Sequence, residues 1–333
     1  MKRNYENRKR LEEIIPIDTP MVVYIEPTNL CNFRCSFCPT SDKELLKKAN
    51  RPSGTMTYQT LKKIVDDFKK FPSKIKKIHF YINGEPLLNK DLTKMITYAK
   101  ENKISEELWI KTNGSLLTHE VSNDLIKSGL DFIGISIEGV TKERYKEICD
   151  VDVDYDQIVE NVKYLYENRK KCRIYVKIVD YGLTEKEKEK FFDDFHNIAS
   201  EVKIENLMGW SASGEKDFTL GINPDKTMEN EEKKTNNICP YPFYAMAINF
   251  NGDVSLCCVD WSLGTVVGNT KEQSLFDIWN GDRLFEFRKM HLKGRRKENG
   301  ACGDCYSINC HPDNIDKYSE VILEKITAAR KNI

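Results

Sequence analysis

Nowhere in the 333 residues is there an apolar run as long as a bilayer requires, which argues against a membrane-spanning helix. Net charge is missing too. The 52 lysines and arginines balance 52 aspartates and glutamates, so no overall field draws the chain toward nucleic acid or a membrane surface. The segment from Met1 to Glu13 lacks the apolar core of a secretory signal, and a reducing cytoplasm is the expected compartment. No internal repeat is visible, and the basic run Lys293-Gly294-Arg295-Arg296-Lys297 reads as solvated loop. What remains is ordinary globular composition, 40% hydrophobic and 31% charged, with a surplus of cysteine. Eleven cysteines in a reducing compartment point to metal ligands or catalytic thiols rather than disulfides.

Hydrophobic periodicity divides the chain. From about residue 20 to 208, strand patterns (22–26, 75–83, 108–113, 132–138, 173–179, 202–208) alternate with helical ones (58–71, 91–101, 118–128, 156–168, 184–199). Such alternation implies βαβ units and a parallel sheet. Six strands are too few for a closed eight-fold barrel, so an α/β fold with a partial (β/α)6 TIM-like barrel is expected over residues 21–210. Residues 1–20 form an N-terminal extension and 211–238 a polar linker or cover. A small domain over 239–315 follows, with a β-hairpin around Asn251-Gly252, a helix from Ser274 to about His291 and a CxxC at Cys302 and Cys305. Residues 316–333 read as a charged terminal helix.

Cys31, Cys35 and Cys38 form C-x3-C-x2-C on the loop leaving the first strand. Soft thiolates suit iron–sulfur or zinc. Three closely spaced ligands leave a fourth position open for a small molecule, although a zinc knuckle borrowing a distant ligand has the same local pattern. The segment from Glu26 to Pro39 resembles the signature of the radical S-adenosylmethionine (SAM) family, including Phe37 before the third cysteine. Further likeness lies at successive strand ends: Gly84-Glu85-Pro86 is similar to the family's GEP motif, and Thr112-Asn113-Gly114 to its TNG motif. Ser136-Ile137-Glu138-Gly139 is similar to its S-x-D-G segment, with Glu in place of Asp. The resemblance implies a [4Fe-4S] cluster on Cys31, Cys35 and Cys38 that holds and cleaves SAM. It also implies SAM contacts at Phe37, Gly84, Glu85, Pro86, Thr112, Asn113, Ser136 and Glu138, and a ferredoxin or flavodoxin as reductant.

Six cysteines fall in the last hundred residues. With Asn251-Gly252-Asp253 and Ser274 to Trp279, they resemble the SPASM/twitch extension of that family. The resemblance implies one auxiliary [4Fe-4S] cluster on Cys239, Cys257, Cys302 and Cys305. A four-cysteine zinc ribbon is the competing reading. Cys258 and Cys310 are left over, as spare thiols, hydrogen-atom donors or swapped ligands, while Cys149 and Cys172 are expected to pack as small hydrophobes.

Strand alternation turns Ile133, Ile135 and Ile137 toward the helices. It turns Tyr24, Glu26, His79, Tyr81, Lys111, Ser136, Glu138, Tyr175 and Lys177 toward the lumen. A polar lumen suits a polar ligand. Lys177, Tyr175, Tyr81, His79 and Cys310 are therefore the candidate catalytic residues. No acid–base dyad stands out in the sequence. Three functions compete: oxidation or epimerisation of a small polar molecule such as a sugar or amino-sugar, peptide crosslinking or thioether formation, and a non-enzymatic zinc or iron–sulfur protein. The polar lumen and the short segment before the first strand favour the small molecule, with neither nucleic acid nor membrane as partner.

Overall fold

A computed structural model describes residues 9–211, 218–222, 226–228 and 231–331. Six strands come first: β1 (Val22–Ile25), β2 (Ile75–His79), β3 (Ser105–Thr112), β4 (Phe132–Ile137), β5 (Arg173–Asp180) and β6 (Glu201–Asn206). Each pairs in parallel with the next. The helices between them carry their own start signals. Thr57 accepts from Thr60 N to open the helix Tyr58–Phe68, whose Leu61, Ile64, Val65 and Phe68 are buried. Thr184 and Glu187 form a reciprocal capping box ahead of Glu185–Phe195. These helices cover the outer sheet face, where Ile133, Ile135 and Ile137 are fully buried.

The C-terminal hairpin does not stand apart as a small sheet of its own. Its strands, β7 (Ala245–Ile248) and β8 (Asp253–Ser255), precede the two-residue β9 (Gly268–Asn269). β7 pairs in parallel with β1, from Val22 opposite Ala245 to Ile25 opposite Ile248. Among the described residues one nine-stranded sheet therefore runs β6-β5-β4-β3-β2-β1-β7-β8-β9. The expected barrel and its C-terminal hairpin are both present, joined edge to edge. Asp67 strengthens the join from the barrel side, accepting from Leu275 N at 3.2 Å.

The helix expected from Ser274 to His291 is two helices, Leu275–Asn280 and Asp282–Leu292. Gly281 between them has extended backbone (φ −77°, ψ 165°), and a Cβ there would lie 2.7 Å from Asp277 O. Two short helices, Lys43–Lys48 and Lys142–Cys149, were not foreseen because each carries too few apolar residues for a periodic signal. Within the 211–238 cover, residues 212–217, 223–225 and 229–230 lie outside the described residues. The N-terminal extension packs on the terminal helix Ser319–Arg330: Leu11, Ile15, Ile322 and Ile326 share a second small core with Ile238, Phe243, Leu292 and Ile315. No helix among the described residues is long and apolar enough to cross a membrane.

Candidate active site

The three clustered cysteines lie on the loop leaving β1, and neighbouring elements fix that loop. Arg34 N and Ser36 N donate to Cys149 O and Ile148 O, both at 2.9 Å. Asn113 Nδ2 donates to Asn32 Oδ1 at 2.9 Å, and Asn32 Nδ2 to Ser115 Oγ at 2.9 Å, so the end of β3 grips the loop. Trp210 Nε1 donates to Phe37 O at 3.0 Å. Gly84 closes the turn after β2 at φ +76°. A Cβ there would come within 2.6 to 2.7 Å of backbone atoms of Thr28, Asn29 and Leu30, so only glycine allows this approach. Glu85 is buried, and its carboxylate accepts from Leu87 N, Thr112 Oγ1 and Asn113 N at 2.7 to 2.9 Å. It thus ties the Gly84-Glu85-Pro86 turn to Thr112-Asn113-Gly114. Burial pushes its pKa up to about 7 against those donors.

Cys31, Cys35 and Cys38 lie within electrostatic reach of one another. Burial pushes the Cys31 thiol up to about 12 and Cys38 to about 11. Cys35 is raised by its contact with Cys149 Sγ, 3.4 Å away, and by burial. Buried Cys149 and Cys172 pack as expected, but Cys149 lies unexpectedly close to this site. Among the described residues no three His, Cys, Asp or Glu side chains converge on one point as a single ion would require. The soft thiols, the glycine-lined turn and Asn83 Oδ1, buried without a hydrogen-bond partner among the described residues, together fit a larger sulfur-ligated group and a polar ligand above it.

The lumen has two layers. Its floor is aromatic: Tyr24 stacks on His79 (4.6 Å), His79 meets Tyr81 and Trp109 edge-on (5.2 Å each), and Trp109 stacks on Phe132 (3.8 Å). His79 and Tyr81 therefore sit in or beside packed rings. Above them lies the charged layer. Tyr175 Oη donates to Glu205 Oε1 at 2.6 Å, and Lys177 Nζ lies 3.8 Å from Glu205 Oε2. Burial works to raise Glu205, but Lys177, Lys111, Tyr175 and Lys203 outweigh it and hold the carboxyl below its ordinary range. Glu138 is shifted the other way, raised by burial and by Glu205 against the pull of Lys177. Both Glu138 and Lys177 act on Cys35, which places this layer beside the first thiol group. Gly134 makes room for Lys111, since a Cβ there would be 2.9 Å from Lys111 Cγ. A buried carboxylate held by a tyrosine and a lysine, with no signal in the sequence motifs, is thus present. Glu205 was missed, although alternation on β6 puts Lys203 and Glu205 on one face, with Lys203 opposite Lys177.

Cys239, Cys257, Cys302 and Cys305 form a second group linked by electrostatic reach. Cys239 feels Cys305 and Cys302, and Cys257 feels Cys258, Cys305 and Cys239. Arg296, expected in solvent, turns inward: it donates to Cys302 O and to Gly303 O (2.9 Å) and favours the thiolates of Cys239, Cys302 and Cys305. Arg295 keeps to the surface, paired with Glu298. Cys258 differs from its neighbours, being lowered to about 7 by its hydrogen bond with Cys257 and those with Tyr241 and Tyr24, against burial. Cys310 ends the turn Tyr306–Cys310, whose Asn309 O accepts from Lys234 N at 3.2 Å.

One buried ion pair binds the two thiol regions. Arg51 Nη2 lies 2.8 Å from Glu26 Oε1 with both side chains almost wholly buried, and Arg51 Nη1 donates to Trp261 O at 2.5 Å. Phe250 N donates to the other Glu26 oxygen at 3.3 Å. Burial nonetheless leaves the Glu26 pKa raised.

Residues 25–195, more than half of the chain, match the family model of the radical SAM superfamily. The chain belongs to the radical SAM superfamily. Residues 239–306 match the SPASM iron–sulfur cluster-binding domain. The protein is thus an enzyme that uses SAM with a [4Fe-4S] cluster and carries an auxiliary iron–sulfur domain. It is 23% identical over 303 residues to S-adenosyl-L-methionine-dependent 2-deoxy-scyllo-inosamine dehydrogenase of Niallia circulans, covering 90% of this chain and 98% of that one. It is 27% identical to the tungsten-containing aldehyde ferredoxin oxidoreductase cofactor-modifying protein of Pyrococcus furiosus, over 80% of this chain and 82% of the other. Its fold is similar to crystal structures of BtrN in complex with AdoMet and 2-DOIA (TM-score 0.57, 20% identity, 90% of this chain and 99% of that one). Streptococcus suis SuiB bound to precursor peptide SuiA is similar as well (TM-score 0.61, 17% identity, 89% and 73%).

Proposed function

We propose that this enzyme oxidises a secondary hydroxyl of a small ring polyol, a sugar or amino-sugar-like molecule, to a ketone. The observation that carries the reading is the Tyr175–Glu205–Lys177 group beside the first thiols, in a sheet shared with the second. A peptide backbone offers little for such a compact charged layer, whereas a polyol supplies hydroxyls to each member. The similarity to a dehydrogenase over nearly the full length of both chains supports the same class.

In this reading Cys31, Cys35 and Cys38 hold the cluster that binds SAM, with Phe37, Gly84, Pro86, Thr112, Asn113, Ser136 and Glu138 around the ligand. Glu85 acts by locking two of those turns together. SAM on its cluster supplies, when bound, a 5′-deoxyadenosyl radical able to take a hydrogen atom from carbon. The chain's own residues do the rest. Lys177 and Lys111 orient the hydroxyl, and Glu205, kept ionised by them, takes its proton. Tyr175 holds the Glu205 carboxylate in place, and the aromatic floor excludes water. Cys239, Cys257, Cys302 and Cys305 hold the auxiliary cluster, with Arg296 offsetting its negative charge. A flavodoxin or ferredoxin in a reducing cytoplasm supplies electrons.

The test is anaerobic turnover of reconstituted protein with SAM, a reductant and a panel of ring polyols and aminocyclitols. One ketone, two hydrogens lighter, should appear per 5′-deoxyadenosine. A product of unchanged mass would replace oxidation by epimerisation, and turnover of peptides alone would remove the small-molecule reading.

A further inference from the structure

Tyr24 has two sides. Its ring belongs to the lumen floor, stacked on His79 at 4.6 Å and edge-on to Tyr81 at 6.0 Å. Its hydroxyl is hydrogen-bonded with Tyr241 and with the Cys258 thiol. Cys258 Sγ lies 3.7 Å from Tyr241 Oη and is also hydrogen-bonded with the thiol of Cys257. The sheet explains this convergence. Tyr24 on β1 is opposite Ala247 on β7, and Ala247 is opposite Ser255 on β8, so the chain reaches Cys257 and Cys258 just beyond that cross-strand row. Tyr241 comes from the turn immediately before β7. Two hydroxyls and a thiol thus meet between the lumen floor and Cys257.

We propose that Tyr24, Tyr241 and Cys258 are the bridge that carries an electron from the substrate to the auxiliary cluster, with Cys258 serving neither as a ligand nor as a hydrogen-atom donor. The proposal rests on the alcohol-oxidation reading. After its carbon has lost a hydrogen atom, the substrate holds one unpaired electron. The hydroxyl proton passes to Glu205, the electron crosses the Tyr24–Cys258 contacts to the cluster held by Cys257, and the C–O bond becomes a carbonyl. The cluster is reduced by one electron, and the one-electron carrier protein later reoxidises it. No bond to Tyr24, Tyr241 or Cys258 forms or breaks. Hydrogen-bonded contacts couple donor and acceptor better than an unfilled gap, so the three side chains set the rate of this step and not that of hydrogen abstraction.

Reconstituted holoenzyme carrying Cys258→Ala, Tyr24→Phe or Tyr241→Phe tests this. Iron per chain should match the parent, and deuterium from labelled substrate should still enter 5′-deoxyadenosine. Ketone formed per 5′-deoxyadenosine should fall at least about tenfold in Cys258→Ala and less in the tyrosine variants. Unchanged coupling in Cys258→Ala and Tyr24→Phe would overturn the bridge. Loss of about four irons from Cys258→Ala would make it a ligand, and Cys258-dependent solvent deuterium at the substrate carbon would make it a hydrogen-atom donor. Either result overturns the proposal. Failure of the alcohol reading is seen separately, as wild-type enzyme yielding no ketone from any ring polyol. The bridge is then judged by potentiometric EPR of the auxiliary cluster in a Cys35→Ala background. Adding Cys258→Ala should shift its potential through loss of the hydrogen bond to Cys257, and an unshifted potential removes the contact and the proposal with it.

Discussion

The two thiol groups are built in opposite ways. Cys31, Cys35 and Cys38 lie on one loop, which backbone donors and two strand-end turns hold in place. Cys239, Cys257, Cys302 and Cys305 come from a turn, a strand end and a short helix far apart in the chain, and Arg296 leans over them. The first group is a preformed seat beside a charged lumen, whereas the second exists only once the C-terminal region has folded. Metal in the second should therefore contribute more to folding, and metal in the first more to chemistry.

Removing one thiol from each group is the sharpest way to break that contrast. Cys35→Ala should reduce 5′-deoxyadenosine formation to background, while Cys302→Ala should retain SAM cleavage but lose ketone and lower the melting temperature. Equal loss of cleavage in both would merge the two roles. Within the lumen, Glu205→Gln should lower kcat by about 10²- to 10⁴-fold, with SAM binding by calorimetry unchanged. The sign of the pH effect follows from its neighbours. Glu205 is held below its ordinary range, so the acid limb of kcat should lie lower than an ordinary carboxylate gives. Lys177→Met removes a cation, raises that carboxyl and should move the limb to higher pH.

The joint between the regions comes next in size. Arg51→Met leaves Glu26 buried without its cation, which should cost about 3 to 5 kcal/mol in urea unfolding. The double variant Arg51→Met/Glu26→Gln should recover part of that loss. The smallest effect is expected from Arg296→Gln. Loss of that charge should make the auxiliary cluster's potential more negative, on the order of tens of millivolts by EPR titration, and leave the first cluster's unchanged.

How much of this was legible in the sequence tracks how local each signal is. The first thiol loop, the strand-end turns and the alternation that turned Lys177 and Tyr175 inward are all patterns within a few residues. Glu205 was within reach of the same alternation, had it been carried to β6. Arg51 and Arg296 were not, because a loop has no period to show that a side chain turns inward, and a run of charge by itself reads as solvated. The pairing of β7 with β1 was hidden for a related reason. The Asn251-Gly252 turn marks a hairpin but says nothing about which third strand lies beside it. The helix read from Ser274 to about His291 passed through Gly281, where the backbone is extended and the helix breaks in two.

That same pairing also bears on solubility. An open sheet exposes two rows of unpaired backbone groups, and a long apolar edge invites another chain to add to it. Here one outermost strand is β6, studded with Glu201, Lys203 and Glu205, and the other is β9, only two residues long. The hydrophobic β1, Val-Val-Tyr-Ile, would be the exposed edge if the C-terminal region were removed. A truncation ending before β7 should therefore aggregate even with the first cluster fully assembled.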